Sequence, residues 1–589
     1  MSPMHGLESA ILAGAMVLFQ ARVASIVKEL THLYQTKGKM QSQSSNIEEI
    51  PLLIAQVDAV QSEDSGDFHY RTYAPGIGMA NCDGAYTVSC TNLHRLKFEI
   101  MRLADILIIN NVCDEDILPV IRNREAAGKL TIYEISDDLS DIPPAYGHIR
   151  DVYLRSKNLL LIKRLANYCD ALQFCSHGLK RKFAYLNDTS AVFPNQMLEI
   201  PPERKTGPSK NVTVGWGGSL GHLKDMERVS KPLIEWIMSR ENVRLHLMCP
   251  DEIWALFDRL PGDRISRSAT GSLNDYYRFV SQLDIGIAPL EDTDFNCSRS
   301  DVKFLEYAAH TVAPVVQAKG PYPMSVQNGK TGFLFNSTDE LIAILDRLAC
   351  DASARTGLAA AAHRYVLLER NQLERGRDRV QFYRSLLAAA GWKASPGGAC
   401  AAETFERLCN SAGAKKTGRN VYLAATRYEQ LLLGGAAALQ ADKSRAKEIF
   451  QEAIRIVPSS YMPYLMGAFV SDDKVGSLRN AIARNPNSIA ARLSLGTVYG
   501  GMGMSREAIE AFKTAAGIFP DYEQPYIQCA NYFNSIGMTE KGIELLKKAI
   551  AVIPKAIRDH RDGDGPGMNQ VKKLTNYGLD NLQSSSEWP

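Results

Sequence analysis

Four prolines divide the C-terminal part of the chain at nearly regular intervals. Pro486, Pro520 and Pro554 follow one another at 34 residues, and Pro458 lies 28 residues before the first of them. Each proline ends an amphipathic helical pattern, because proline has no backbone N–H and its ring clashes with the preceding helical turn. A pattern that recurs at a fixed period predicts a stack of similar helical units.

Small and aromatic residues recur at matching positions inside these segments. One segment carries Leu495, Gly496, Tyr499, Ala508, Phe512, Ala515 and Pro520, and a shifted copy carries Leu433, Gly434, Ala446, Phe450, Ala453 and Pro458. Small residues let two helices approach, and the aromatic ring fills the gap between neighbouring units. The period is that of tetratricopeptide repeats, which predicts a solenoid of about four repeats over residues 420–556, one of them shortened. The alternative is a helical bundle with coincidental spacing.

Before residue 392 the pattern is different. Short hydrophobic runs alternate with helical segments, as strands buried on both faces of a parallel sheet do. These runs lie at 50–57, 104–110, 130–135 and 171–175, and again at 211–216, 243–248, 285–288 and 312–317. Because a Pro- and Lys-rich stretch separates the two sets, we predict two Rossmann-like halves joined by a hinge, with a ligand in the cleft between them.

The sequence therefore predicts six parts. They are an N-terminal helix with a linker (1–47), a first Rossmann-like domain (48–200), a second Rossmann-like domain (201–392), a linker rich in Ala, Gly and Ser (393–419), the helical repeats (420–556) and a polar tail (557–589). The apolar stretch 10–27 is interrupted by Gln20 and Arg22 and has no basic region before it, so an amphipathic helix docked on the body is expected. A membrane-surface anchor is the alternative.

Charge and cysteine usage exclude several classes of function. The 67 basic and 65 acidic residues give a net charge of +2, which provides no bulk field for nucleic acid, and we expect no nucleic-acid partner. The eleven cysteines never form Cys-x-x-Cys, which argues against a zinc ribbon or a disulfide framework. Reduced thiols in a cytoplasmic protein are predicted, with peripheral contact at an inner membrane as the alternative.

Two clusters in the second half carry candidate binding residues. The first is a glycine-rich turn after a predicted strand, with Gly217, Gly218, Ser219 and His222. Glycines let the backbone approach a phosphate, and the N-terminus of the following helix offers unpaired N–H groups to an anion. A tight strand-to-helix turn without a ligand would use the same residues, so spacing alone leaves both interpretations open.

The second cluster lies in residues 296–309. Arg299 and Ser300 come at the start of a predicted helix, where an anion is favoured, and Lys303 precedes Glu306 by three residues, so both share one face. An ammonium for a diphosphate and a carboxylate for ribose hydroxyls would suit a nucleotide. A solvated Lys–Glu pair on a surface helix is the alternative.

These segments resemble a known family. Residues 300–307, Pro314 to Val316, and Asn328 to Gly332 ahead of Phe333 look like the C-terminal half of the GT-B glycosyltransferases of the large retaining, nucleotide-sugar-dependent group (group 1, family 4-like). That group includes sucrose synthases and many bacterial mannosyltransferases. The resemblance covers about residues 48–390 and implies a donor-binding second half, with Lys303 near the diphosphate and Glu306 on the ribose.

Further matches follow in the same order along both halves. Gly217 to Ser219 with His222 and Asp225 resembles a turn of a bacterial subgroup, residues 70–75 resemble its acceptor-side loop, and residues 133–139 resemble its acidic strand end. Arg71, Asp137 and Asp138 are therefore acceptor-side candidates. The acidic pair could also be a Mg or Mn site, or a cap or solvated loop. Because the family is largely metal-independent, the resemblance implies neither a metal nor a cofactor beyond the sugar donor.

Two positions depart from the family pattern. Ser298 stands where the family has a first glutamate beside the donor sugar, which puts sugar contacts and activity in question. His310-Thr311 stands where the family usually has a glycine, which should narrow the turn into the next strand.

The resemblance implies transfer of a hexose, with retention, from a nucleoside diphosphate sugar to a polysaccharide, glycolipid or protein acceptor in bacterial glycan biosynthesis. The departing diphosphate needs fixed positive and N–H groups, for which Arg299, Lys303 and the backbone of 217–219 are the candidates; no catalytic residue is singled out. The repeats would recruit a protein or peptide. The alternatives are a silent body that serves as a repeat-based scaffold, and an epimerase-like enzyme that needs no acceptor.

Overall fold

The computed structural model describes residues 50–59, 65–144, 156–204, 211–391 and 401–559. The predicted N-terminal helix and most of the predicted polar tail lie outside the described residues. Within the described ranges, no helix combines the length and the apolar character that a bilayer crossing requires.

The first domain is a parallel sheet whose strands are buried on both faces. Its strands are β1 (Leu52–Asp58), β2 (Ala85–Thr91), β3 (Ile106–Asn110), β4 (Leu130–Ile135), β5 (Ala171–Phe174) and β6 (Ser190–Val192). They are ordered β2-β1-β3-β4-β5-β6. Its helices are α1 (Gly66–Phe68), a π-helical turn (His69–Tyr73), α2 (Ala74–Ala80), α3 (Lys97–Leu103), α4 (Leu118–Ala126), α5 (Ser156–Tyr168) and α6 (His177–Phe183). Every residue of β1, β3, β4 and β5 is buried, which is why these strands are mostly hydrophobic and carry only a few buried polar side chains.

The second domain repeats this architecture with six parallel strands. They are β7 (Val212–Gly217), β8 (Val243–Met248), β9 (Ile265–Arg267), β10 (Ile285–Ala288), β11 (Ala313–Gln317) and β12 (Phe333–Phe335), ordered β12-β11-β10-β7-β8-β9. Its helices are α7 (Leu223–Met238), α8 (Asp251–Trp254), α9 (Leu273–Val280), α10 (Asp294–Ser298), α11 (Val302–Ala309), α12 (Tyr322–Ser325), α13 (Thr338–Cys350) and α14 (Ala352–Glu369). Parallel order places the carboxyl ends of all strands at one edge of the sheet, where ligands of such folds bind.

The helix α15 (Gln372–Ala389) falls within the predicted second domain but packs on the first. A Cβ atom on Gly376 would lie 2.0 Å from the carbonyl oxygen of Gly78 in α2, so the two helix backbones touch. Tyr383 of α15 also donates a hydrogen bond of 2.7 Å to Gln173 of β5. The chain therefore crosses the hinge twice.

The segment 393–419, predicted as a linker, carries secondary structure where it is described. It contains α16 (Ala401–Cys409) and β13 (Ala414–Thr417), and is followed by β14 (Asn420–Leu423). β14 pairs in parallel with β2, and β13 pairs antiparallel with β14, so the first sheet has eight strands. The Lys-rich β13 is largely solvent-exposed at the sheet edge, which explains why its sequence lacks a strand's hydrophobic pattern.

The rest of the described chain is helical and folds in consecutive pairs. The helices are α17 (Arg427–Ala441), α18 (Lys443–Ile456), α19 (Met462–Gly467), α20 (Lys474–Arg484), α21 (Ile489–Gly501), α22 (Ser505–Ile518), α23 (Gln524–Ser535), α24 (Thr539–Val552) and the short α25 (Lys555–Asp559). Each of the four prolines follows the end of the second helix of a pair, as predicted. The predicted fold class is confirmed as two α/β halves with parallel sheets followed by an all-α region, and the tetratricopeptide-like solenoid stays a prediction.

The contacts inside the helix pairs correct one predicted position. A Cβ on Gly496 would lie 2.5 Å from the ring of Phe512, as expected for the close approach of two helices. In the shifted copy, however, the glycine against Phe450 is Gly435, whereas Gly434 has nothing within 4 Å. The helix phase there differs by one residue, because it is the face carrying Gly435 that turns toward α18.

Buried polar contacts attach the helical region to the first domain. Arg164 of α5 and Glu523 before α23 form an ion pair of 2.6 Å whose side chains are both 0% exposed. Asp116 accepts hydrogen bonds from the Ser488 hydroxyl (2.8 Å) and the Ala490 N–H (3.1 Å) at the start of α21. The helical region is thus packed directly against the first domain.

Candidate functional site

The predicted donor-side residues meet at the carboxyl end of the second sheet. β7 ends at Gly217, and a short turn leads through His222 into α7, which carries Asp225. Arg299 lies between α10 and α11, and α11 carries Lys303 and Glu306. Two segments far apart in sequence therefore supply one cluster, with the first domain's π-helical turn packed against it.

His222 lies between the Asp225 carboxylate and the Arg299 guanidinium and contacts both. Its Nδ1 is 2.7 Å from Oδ2 of Asp225, and its Nε2 is within hydrogen-bond distance of the Arg299 guanidinium. Because Arg299 can only donate, Nε2 must accept, and the ring proton lies on Nδ1 toward Asp225. Burial, followed by the charges of Arg299 and Lys303, lowers the pKa of His222 well below its ordinary value, so the ring is neutral.

Asp225 is itself held by several donors. Its Oδ1 accepts hydrogen bonds from the Glu291 N–H (2.6 Å) and from the Asn296 amide (3.1 Å). Burial nevertheless raises the pKa of Asp225 to about 6. The carboxylate thereby fixes the orientation of His222 and the loop before α10 together.

Lys303 lies against the glycine-rich turn. Its Nζ donates a hydrogen bond to the Gly217 carbonyl and lies 5.2 Å from the centre of the Trp216 ring. A Cβ on Gly218 would lie 3.2 Å from Nζ, and one on Gly217 would collide with Phe279 and Tyr276 at 2.8 Å. The glycines are therefore required by packing as well as suited to an anion. Burial lowers the pKa of Lys303 to about 8.

Glu306 is covered by tyrosines from both domains. Tyr70, in the π-helical turn, donates a hydrogen bond of 2.9 Å to Oε1 of Glu306, and its hydroxyl is 2.8 Å from that of Tyr277. Burial raises the pKa of Glu306 to about 7, against the lowering effects of Lys303 and Tyr70. In this conformation the carboxyl predicted to face ribose is satisfied by a protein hydroxyl.

The two serines of the second cluster face the first domain. The Ser298 carbonyl accepts a hydrogen bond of 2.6 Å from the Ser176 hydroxyl, and the Ser300 hydroxyl accepts one of 3.1 Å from the Asn195 amide. A Cβ on Gly178 would lie 2.2 Å from the Cys297 carbonyl oxygen. The position of the family's first glutamate is thus part of a tight contact between the two domains.

Thr311, where the family usually has glycine, has a φ of 57°. This left-handed conformation costs an L-residue about 1–2 kcal/mol and is rare for a β-branched side chain. The Thr311 hydroxyl accepts a hydrogen bond of 3.1 Å from the Arg204 N–H, which offsets part of that cost. The turn before β11 therefore contains a strained residue held by a hydrogen bond, and its predicted narrowing stays a prediction.

The three acceptor-side candidates do not share one environment. Arg71 is buried in an ion pair with Glu134 of β4 and donates to the Asn195 side chain at 2.7 Å. Asp138 is buried in a 2.6 Å ion pair with Lys182. The partners of both residues belong to the first domain, so the two side chains stabilise that domain.

Asp137 is placed differently. It is half-buried after β4, and its pKa is raised to about 7 by burial, then by the negative charge of Asp67, against the lowering effect of Arg299. The positive charge of Arg299, in the second domain, thus acts on a carboxyl of the first domain. Of the three candidates, Asp137 has the position that a cleft ligand could reach.

An aromatic cavity beside Tyr70 was not predicted. Its volume is about 310 Å³, and its lining includes His69, Tyr73, Tyr277, Lys415 and Tyr422. Lys415 and Tyr422 come from β13 and β14, which sequence reasoning had assigned in part to a linker. The adjacent tyrosines 276 and 277 were visible in the sequence, but only the packing of α9 shows that Tyr276 lies beside Glu306 and that Tyr277 bonds to Tyr70.

No metal site accompanies these residues. In the parts of the chain that the structure describes, no three His, Cys, Asp or Glu side chains are grouped so as to hold a metal ion. The cluster instead combines two cations, a neutral histidine, the backbone of the glycine-rich turn and two carboxyls of raised pKa, Asp225 and Glu306.

No family model and no curated protein matches this chain. Among solved structures, it is similar to Anabaena Alr3699/HepE in complex with UDP and glucose, at 15% identity and a TM-score of 0.42, over 57% of this chain and 100% of that one. It is also similar to sucrose-phosphate synthase from Thermosynechococcus elongatus, at 14% identity and a TM-score of 0.40, with the same shares covered. MamA is 21% identical with a TM-score of 0.20, over 26% of this chain and 86% of that one.

Proposed function

We propose that this chain is a retaining hexosyltransferase that uses a nucleoside diphosphate sugar. The observation that carries the proposal is the gathering of Arg299, Lys303 and Glu306 against the glycine turn at the carboxyl end of β7. Phosphate groups are bound where cations and backbone N–H groups converge at a strand-to-helix turn. Glu306 would accept hydrogen bonds from the ribose hydroxyls.

In this proposal the clustered residues stabilise the diphosphate as it leaves. Negative charge grows on the diphosphate as the glycosidic bond to it breaks, so fixed positive groups lower the barrier. Lys303 and Arg299 would supply that charge, and the N–H group of Ser219 would add a donor. The N–H group of Gly218 already donates to the Met248 carbonyl at 3.0 Å. The neutral His222 would hold Arg299 in place through its accepting Nε2, and Asp225 would fix the ring. No metal takes part in this proposal.

Donor entry requires the two domains to separate. Lys303 is bound to the Gly217 carbonyl, Arg299 to His222, and Glu306 to Tyr70 of the opposite domain. A donor would exchange these internal partners for its own phosphate and ribose oxygens. Reclosure would then exclude water from the reacting centre.

The acceptor side and the helical region extend the proposal. Asp137 belongs to the first domain, and the aromatic cavity beside Tyr70 is lined by residues of both domains. A glycan, lipid-linked or protein acceptor would enter there. The helix pairs would act as tetratricopeptide-like repeats that recruit a protein or peptide. A bacterial cytoplasmic protein of glycan biosynthesis, with peripheral contact at the inner membrane, fits this proposal.

A silent body that serves as a scaffold is the second candidate. Two observations favour it: Ser298 replaces the family's first glutamate, and its carbonyl is engaged by Ser176 of the other domain. A body locked in this way would keep the fold and present the helical region to partners.

Thermal stability of the full chain against nucleotides separates the two candidates. The melting temperature is measured with millimolar ADP, CDP, GDP, UDP and dTDP and with their sugar derivatives. A ligand at one hundred times its Kd stabilises the folded state by about 2.7 kcal/mol. We expect one base to raise the melting temperature, and Lys303→Ala and Glu306→Ala to abolish that rise.

Lys224→Ala provides a matched control. Lys224 lies on α7 near the same turn, but its side chain is 73% exposed and paired only with Glu227. It should keep the full nucleotide response. If no nucleotide changes the melting temperature of the folded wild-type chain, the transferase proposal fails and the scaffold is favoured.

A further inference from the structure

A long groove runs along the junction between the first domain and the helical region. It consists of two cavities of about 760 and 530 Å³, which share Pro119, Asn123 and Asn487 as lining residues. Its walls come from α3 and α4 on one side and from the ends of the helix pairs on the other. None of the candidate donor residues lines it. A single site of such combined size exceeds what a compact small molecule fills.

The floor of the groove is apolar. Phe98 and Leu103 of α3 and Val120 of α4 face Tyr461 and Met462 at the start of α19. The rings of Phe98 and Tyr461 are 6.0 Å apart, in a tilted arrangement. Such a floor accepts aliphatic or aromatic side chains and gains from removing their surface from water.

The acidic residues of the groove already have partners. Glu99 forms a 2.6 Å ion pair with Arg407 outside the groove, and Asp116 accepts the two hydrogen bonds that hold the start of α21. They are the only carboxylates among the residues that line the two cavities in the described chain. The charge of Glu99 is therefore compensated, and Asp116 is buried with two hydrogen-bond donors on its carboxylate.

Basic side chains outnumber them along the whole length. The groove is lined by Arg95, Lys97, Arg102, Arg122, Arg124, Lys129, Arg484 and Arg492. Arg95 and Arg102 are exposed, and neither side chain has a hydrogen bond or an ion pair with any described residue. Two guanidinium groups without an ion-pair partner in the described ranges thus line a groove with an apolar floor, although the whole chain is nearly neutral.

We propose that this junction groove binds an extended acidic peptide segment of a partner protein. Its carboxylates would pair with Arg95 and Arg102, for which the planar guanidinium group is suited, and its apolar side chains would lie on the floor. A nucleic acid fits less well because Tyr461 is only 7% exposed and offers no free face for a base to stack on. The proposal does not depend on the transferase activity.

The test uses fluorescence anisotropy with the full chain and a short labelled peptide of alternating aspartate and leucine. Two further peptides replace aspartate by lysine or leucine by serine, and an oligo-dT strand of similar length serves as the nucleic-acid probe. We expect the Asp/Leu peptide to bind, with affinity that falls as salt rises, and the other probes to bind much more weakly.

The matched variants carry the same change of charge. The double variant Arg95→Glu with Arg102→Glu should weaken binding of the Asp/Leu peptide by about ten-fold or more. Arg181→Glu with Arg364→Glu reverses two exposed arginines far from the groove and should leave binding within about two-fold. Circular dichroism and the nucleotide response should be unchanged in both, since none of the four residues belongs to the donor cluster.

Several results would overturn the proposal. Equal loss in the two double variants would reduce the effect to net charge. Equal binding of the serine peptide would remove any role for the floor, and preferential binding of oligo-dT would assign the groove to nucleic acid. Absence of binding by the Asp/Leu peptide, with the nucleotide response intact, would refute the groove alone and leave the transferase proposal standing.

Discussion

Glu523→Gln is the substitution that most directly tests how the helical region is attached. In the wild-type chain, Arg164 donates from Nε and Nη2 to Oε2 of Glu523 at 2.8 and 2.6 Å, and from Nη1 to the Val552 carbonyl at 2.8 Å. Both side chains are 0% exposed. The amide is nearly the same size as the carboxylate, so the variant removes the charge and preserves the packing.

The expected cost follows from burial. Removing one partner of a buried ion pair leaves an uncompensated charge and costs about 3–5 kcal/mol. A neighbouring pair between the same two parts, Arg122 with Asp521 at 3.0 Å, is 40% and 57% exposed, and pairs of this kind contribute about 0–1 kcal/mol. Asp521→Asn is therefore the matched control.

Native-state hydrogen exchange of the amides in α23 and α24 measures the local free energy of opening. At about 1.4 kcal/mol for each ten-fold change, Glu523→Gln should speed exchange by about two to three and a half orders of magnitude. Asp521→Asn should change it by less than about five-fold.

The double variant Arg164→Met with Glu523→Leu should recover most of the loss, because buried ion pairs are often replaced by apolar side chains without cost. Oε1 of Glu523 is buried without a hydrogen-bond partner in the described structure, which adds to the cost of keeping the pair. If Glu523→Gln and Asp521→Asn have equal effects, the reasoning from burial is refuted.

Three further predictions concern single residues. Because the pKa of Glu306 is raised from 4.5 to about 7 in the folded chain, the folded state holds a proton that the unfolded state releases, so stability falls as pH rises between these values. Urea midpoints across that range should show a shallower fall in Glu306→Gln than in the wild type. Tyr70→Phe removes the hydroxyl that donates to the Glu306 carboxyl and should cost about 1–3 kcal/mol, seen as a lower melting temperature; an unchanged value would argue against the cross-domain bond. Gly435→Ala should destabilise the helical region by about 1–3 kcal/mol, because the added methyl group collides with Phe450. Gly434→Ala should be neutral or stabilising by up to about 1 kcal/mol. Equal free energies of unfolding for the two variants, measured by chemical denaturation, would contradict the packing.

The strands that could be predicted are those buried on both faces. β4 and β8 coincide with their predicted hydrophobic runs because both faces of each strand are covered by the protein. β2 and β13 were missed for opposite reasons. β2 contains Thr and Ser side chains that are buried between the neighbouring strands, so its sequence is less hydrophobic than expected for a central strand. β13 is an exposed edge strand, and its lysines are more typical of a loop.

The candidate site divides in the same way. Arg299, Lys303 and Glu306 could be proposed together because they lie within eight residues and share a helix start. The contact of Tyr70 with Glu306 joins residues separated by 236 positions, which no local pattern reports. Likewise, Asp137 and Asp138 are adjacent in sequence, but only the packing shows that one meets Lys182 and the other the cleft.

The pairing of β14 with β2 has a consequence for how the chain is made. The hydroxyl of Thr87 donates to the Asn420 side chain, 333 residues later, at 2.8 Å. In the order of synthesis, the second α/β domain is inserted between strands of the first sheet. The ribosome must therefore synthesise both α/β domains before β14 and β13 can complete the first sheet. Until then the edge of β2 is unpaired and open to association with another chain. A truncated protein that stops after α15 would keep that edge permanently, so the isolated two-domain body should aggregate where the full chain does not.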